Sequence, residues 1–168
     1  MRPAVAITLR PARPDEAEAL GDLGFAAWEA SAFAVNDAGR VDRGRLRDEF
    51  RGFGATHAPT VLVAEAGSRL LGWGAREHQD QVISDLWVAP EAQGRGVGGA
   101  LLAVLIAEIA AAGHLSAELE TLASNAQAVG FYRRHGFVVA WRAEKFSQAL
   151  GYAIDKVGMT KTLGTSGP

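Results

Sequence analysis

The stretch QGRGVGG, residues 93–99, carries the densest chemical signal in the chain. Glycine has no Cβ, so main-chain N–H groups there stand bare and a phosphate can approach them closely. Gly94, Gly96 and Gly99 fit the G-x-G-x-x-G spacing of a dinucleotide loop, and the same residues read from Gln93 as Q-x-x-G-x-G. The two patterns imply different cofactors and different chemistry. Glu118 and Glu120 stand about 20 residues further on, where a ribose-binding acid is expected in the dinucleotide case. The chain has no cysteine, which excludes disulfides, thiolate metal ligands and a cysteine nucleophile. His57, His78, His114 and His135 are scattered without ligand spacing, so no metal site is expected.

The elements that must present these residues can be read from the pattern. AITLRPA has the β-branched content of an opening strand. A helix follows over RPDEAEALGDLGFAAWEASAF, with Pro14 in its first turn, Asp15 and Glu16 at the positive end of its dipole, and Leu20, Leu23, Ala27 and Trp28 on one face. A second, more charged helix carries Val41, Leu46, Phe50 and Phe53. TVLVAEA and LLGWGAREH form a hairpin about the turn GSR, and VISDLWV is a third strand ended by Pro90. The glycine loop, a helix closed by Gly113, the strand LSAELETLA, a short helix NAQAVGFYRRH closed by Gly136 and two last strands complete the chain. The order β α α β β β α β α β β makes one α/β domain with a mixed sheet over residues 1–163, and residues 164–168 form a tail.

This order decides between the loops. In a dinucleotide fold the fingerprint starts at the strand end, but here APEAQ separates Val88 from Gly94. Too little chain follows Gly99 for a second half of a doubly wound sheet, and the part before the loop is rich in hairpin strands.

VISDLWVAPEAQGRGVGGALL resembles the signature of the GCN5-related N-acetyltransferases, with QGRGVG as their pyrophosphate loop. NAQAVGFYRRHGF resembles the same family's second motif, N-x-x-A-x-x-x-Y followed by Gly-Phe. The motif resemblance runs from Val82 to Phe137, and the element order extends it over nearly the whole chain. It implies the acyl-CoA N-acyltransferase fold, acetyl-CoA as cosubstrate and direct transfer of acetyl to a primary amine. It also implies that Gln93, Gly94, Arg95, Gly96, Val97, Gly98 and Gly99 cradle the pyrophosphate. Leu86, Trp87 and Val88 would meet the pantetheine arm through the main chain, and Asn125 and Tyr132 would contact CoA.

Such a transfer needs a neutral amine, a polarised carbonyl and a proton for the departing thiolate. A phenol is protonated at neutral pH and can donate to a thiolate, so the resemblance points to Tyr132 as acid. LETLASN resembles the ribosomal-protein N-terminal alanine acetyltransferase branch, which implies Glu120 as base; Asp85 competes, and Glu77 is a third candidate. Strand alternation puts Glu118 beside Glu120 on one face. SNAQ also fits a capping box, with Ser124 as N-cap and Gln127 three residues on. Trp28, Trp73 and Trp87 could line an acceptor pocket, although core packing is the more frequent role of tryptophan, and Trp28, Glu77 and Asp85 head the substrate side.

The bulk numbers exclude other classes. With 17 basic and 19 acidic side chains the net charge is −2 and the pI about 6.1, so neither nucleic acid nor an anionic membrane is an expected partner. The first residues lack a signal-peptide pattern, since Arg10 and Pro11 interrupt the apolar run, and the apolar segment 100–113 is too short to span a bilayer and contains Glu108. A cytoplasmic protein acting on a small-molecule or peptide amine is expected, with homodimerisation left open. Two alternatives of other classes remain: a non-catalytic acyl-CoA-binding sensor and a nicotinamide-dependent oxidoreductase.

Overall fold

The structure, a computed structural model, describes residues 6–31, 39–57, 60–76, 80–148 and 150–164. Among these residues the elements are β1 (Thr8–Pro11), α1 (Ala17–Glu29), α2 (Arg43–His57), β2 (Val61–Ala66), β3 (Arg69–Ala75), β4 (Asp85–Val88), α3 (Val97–Ala111), β5 (Ser116–Leu122), α4 (Ala126–Arg134), β6 (Val138–Ser147) and β7 (Tyr152–Thr162). The expected order holds throughout. A 3-10 turn, Pro14–Glu16, leads into α1.

The sheet is split. β1-β2-β3-β4 form one antiparallel sheet and β5-β7-β6 another. One parallel bridge, Val82 to Glu118, ties them together; Ile83 N donates to Glu118 O at 2.8 Å and Glu118 N to Gln81 O at 2.9 Å. The strand expected over residues 82–88 is therefore regular only from Asp85. Ala75 is registered with Asp85, yet its carbonyl accepts from Ser84 N at 3.0 Å. Two residues of one chain thus face one of the other, a bulge that redirects the strand from β5 towards β3.

Alternation along the strands assigns the layers. Val63, Trp73 and Ala75 pack under α1 and α2 with Leu20, Phe50 and Phe53. The other face, with Leu62, Ala64 and Val88, receives Val97 and Leu101 of α3. The same helix sends Leu102, Leu105 and Ile109 into the core of the second sheet, against Ala117, Leu119, Phe137 and Met159. α3 touches both sheets through Val97, Leu101, Leu102, Leu105 and Ile109, while Ala103, Ala107 and Ala110 face out. Each large apolar side chain removed from water there contributes about 1.5–3 kcal/mol.

Trp73 is fully buried, and its indole N–H donates to Leu20 O at 2.8 Å. It belongs to the core, the favoured role for a tryptophan: the hairpin register puts it at the centre of the sheet, under α1. Arg10 fastens β1 to both Glu16 (2.5 Å) and Glu65 (2.8 Å).

Candidate active site

The glycine turn follows β4 through the 3-10 turn Pro90–Ala92. Gly94 and Gly96 have φ of 74° and 83°. A side chain at such angles costs about 1–2 kcal/mol, and a Cβ at either position would meet nothing within 4 Å, so backbone conformation alone requires glycine here. Gly96 is the N-cap of α3, and no side chain caps that helix end. The first N–H groups of α3 are therefore without intrahelical partners and carry the positive end of its dipole. Gly98 and Gly99 serve another purpose. A Cβ at Gly98 would stand 3.3 Å from Phe131 Cζ, and one at Gly99 3.1 Å from His135 Nε2. These two glycines also admit the close approach of α4.

A cleft of about 500 Å³ opens between α3 and α4 and runs up to β4 and the end of α1. Its walls include Leu86, Trp87, Val88, Gln93, Gly94, Gly96, Val97, Gly98, Gly99, Asn125 and Tyr132, so the fold gathers these candidates in one place. Arg95 is exposed and outside the lining; its charge acts on Glu91. Glu77 lies outside the described residues, as does the tail from residue 165. Trp28 is buried with Leu46 in a cluster against which Trp87, Leu122 and Tyr152 pack, and it is not among the cleft's lining residues, contrary to its expected place on the substrate side.

One edge of β4 faces the cleft. Ala89 N bonds Leu71 O at 2.8 Å, and Trp87 and Asp85 are registered with Trp73 and Ala75. In an antiparallel ladder alternate residues point opposite ways, so the N–H and C=O groups of Leu86 and Val88 turn away from β3. They face the wedge where β4 and β5 part, and among the described residues no strand pairs with them. Gln93 Nε2 donates to Val88 O at 3.3 Å.

α4 supplies the opposite wall. Its N-cap is Asn125, whose Oδ1 accepts from Ala128 N at 3.1 Å. The capping box based on Ser124 is corrected: the helix starts one residue later, and Ser124 is exposed. Tyr132 packs edge-on against Phe131 and Phe137. Burial pushes its phenol well above the ordinary tyrosine value, and the negative charge of Asp85 pushes it further. Asp85 accepts from Trp87 Nε1 at 3.2 Å.

Neither Glu120 nor Asp85 is among the residues that line the cleft. The Glu120 carboxylate holds Lys145 Nζ at 2.8 Å and Lys156 Nζ at 3.4 Å. Burial raises its pKa, and the two ammonium groups outweigh that and hold it below the usual carboxylate value.

The lining also contains residues that the sequence reading did not name: Ala27, Ala30 and Ser31 from the end of α1, and Gln127, Ala128, Phe131, Arg134 and His135 from α4. Ala128 and His135 were accessible, because residues four and three positions from Tyr132 share its helix face; Gln127, Phe131 and Arg134 do not have that spacing. His135 Nδ1 lies 2.9 Å from Phe131 O, which turns Nε2 towards Gly99. The α1 set had no local signal, since only tertiary packing brings that helix end to the cleft.

Residues 57–139 match the family model described as an acetyltransferase (GNAT) domain. The mycothiol acetyltransferase of Clavibacter sepedonicus is 34% identical over 116 residues, which are 67% of this chain and 38% of that protein. The chain thus spans under half the length of the curated relatives it matches. Among solved structures, a GCN5-related N-acetyltransferase from Rhodopseudomonas palustris has a TM-score of 0.78 at 23% identity, covering 97% of this chain and 99% of that one. The ribosomal-protein-S18-alanine N-acetyltransferase of Escherichia coli gives 0.67 at 20% identity, with 96% and 97% covered. A Salmonella typhimurium structure described as yncA with its cofactor acetyl-CoA gives 0.65 at 22% identity, with 97% of each covered.

Proposed function

Because the chain belongs to the GCN5-related N-acetyltransferase superfamily, we propose that it moves the acetyl group of acetyl-CoA directly to a primary amine. The observation that carries this reading is the unpaired edge of β4 opening on the same cleft as the left-handed glycine turn and Tyr132. A linear pantetheine arm can add to that edge as a strand would, and a pyrophosphate fits against the uncapped start of α3. Space stands open where a Cβ would point at Gly94 and Gly96.

Each group then has a role. A main-chain N–H of Leu86 or Val88 donates to the thioester oxygen as charge develops on it. Asp85 takes the proton from the attacking amine. As the C–N bond forms and the C–S bond breaks, the Tyr132 hydroxyl gives its proton to the leaving sulfur. Asp85 precedes Glu120 as base in this reading, because its charge is felt at Tyr132 and its partner Trp87 lines the cleft.

The test is release of free CoA thiol on mixing acetyl-CoA with a panel of primary amines. Amine-dependent release supports transfer. Stabilisation by acetyl-CoA with no release for any amine makes the chain a binding module, and stabilisation by NADH alone overturns the loop assignment.

A further inference from the structure

Beyond β5, one carboxylate is shared by two cations. Glu120 lies opposite Gly158, Leu122 opposite Lys156, and Lys145 opposite Ile154, so the register puts Glu120, Lys156 and Lys145 on one face of the second sheet. Lys145 Nζ is 2.8 Å and Lys156 Nζ 3.4 Å from the two Glu120 oxygens. The Lys145 ammonium also sits 4.2 Å from the centre of the Trp141 ring, and that ring lies across Gly158. Leu122, on this same face, packs with Trp87 and Trp28, and Trp87 bonds Asp85. The cluster and Asp85 therefore lie on the same side of the two sheets, the side on which Trp28 of α1 and Leu46 of α2 pack.

The charges do not balance. Two ammonium groups meet one carboxylate, and among the described residues no other acid pairs with either lysine. Lys156 is the more buried of the two, at 23% exposure, and has the longer contact. One positive charge therefore remains uncompensated by protein here, and it is available to an anion of a ligand.

We infer that Lys156 and Lys145 hold a carboxylate of the acceptor, so that the substrates are amines that also carry an acidic group. Glu120 is then a positioning residue: it fixes both ammonium groups and leaves one positive charge for the ligand. The inference rests on the acetyl-transfer reading and adds the class of acceptor.

The test compares acetylation of amino acids and short peptides with that of their carboxamides, and of phosphoethanolamine with that of ethanolamine. Carboxylates should be favoured about tenfold in kcat/KM, mainly through KM, and less so at high salt. Lys156→Gln and Lys145→Gln should each shrink that ratio towards one, while stabilisation by acetyl-CoA, read on the same samples, verifies that each variant is folded. Carboxamides that serve as well as the acids, or a ratio that survives both substitutions, overturn the inference and leave transfer standing. A preference confined to the phosphate pair also overturns it. Acetyl-CoA binding with no acetylation of any amine removes the transfer reading, and this inference with it.

Discussion

Asp85 and Tyr132 come from different layers of the fold, one from β4 and one from α4, and the carboxylate raises the pKa of the phenol on top of the effect of burial. In the proposed mechanism, a proton passed from the amine to Asp85 would remove that contribution and make the phenol a stronger acid as the thiolate leaves.

Asp85→Asn should lower kcat/KM by about 100-fold or more, the ordinary worth of a positioned base, and mainly through kcat. Glu120→Gln should act mainly through KM for the acceptor. A loss of kcat in Glu120→Gln but not in Asp85→Asn would exchange the two roles. The check is steady-state kinetics on both variants.

The glycines of the turn should separate by mechanism. Gly96→Ala forces a side chain into a left-handed conformation at the start of α3, at a cost of about 1–2 kcal/mol, and should weaken acetyl-CoA binding by distorting the turn. Gly98→Ala keeps its helical angles and instead presses on Phe131, at 3.3 Å from Cζ. It should change the packing of α4, and with it the position of Tyr132, so kcat should fall more than acetyl-CoA affinity. Calorimetric binding and steady-state rates on the two variants distinguish these outcomes.

Acid should loosen the N-terminal strand. Arg10 holds Glu16 below the usual carboxylate value, as it does Glu65. A depressed folded pKa gives stability that is fully present above the unfolded carboxylate value near 4.3 and is lost as pH falls through the folded value. Glu16→Gln should thus lower the melting temperature by about 3 °C at neutral pH. The deficit should shrink towards zero as the pH falls below about 4. A deficit of equal size at both pH values would mean that the loss comes from packing.

The glycine loop and the stripe of α4 were legible because their chemistry imposes residue types at short spacing: Gly94 and Gly96 for left-handed angles, Asn125 and Tyr132 on one helical face. The bulge at Ser84 was not, because it depends on which strand competes for each end of 82–88. Ser124 and Asn125 are adjacent residues that both favour N-caps, so the boundary of α4 turned on tertiary packing. Trp73 and Trp87 are partners in one register pair, and only the depth of their strands sends one to the core and the other to the cleft. The ties of Glu120 to Lys145 and Lys156 depend on the β5-β7-β6 register, which a strand pattern does not contain.

The most direct measurement is acetyl transfer by Tyr132→Phe, with acetyl-CoA affinity determined on the same samples. The substitution keeps the ring that packs on Phe131 and Phe137 and removes only the hydroxyl. A fall in kcat of about 100-fold or more with affinity nearly unchanged is the predicted result. Full activity across the pH range would contradict the account.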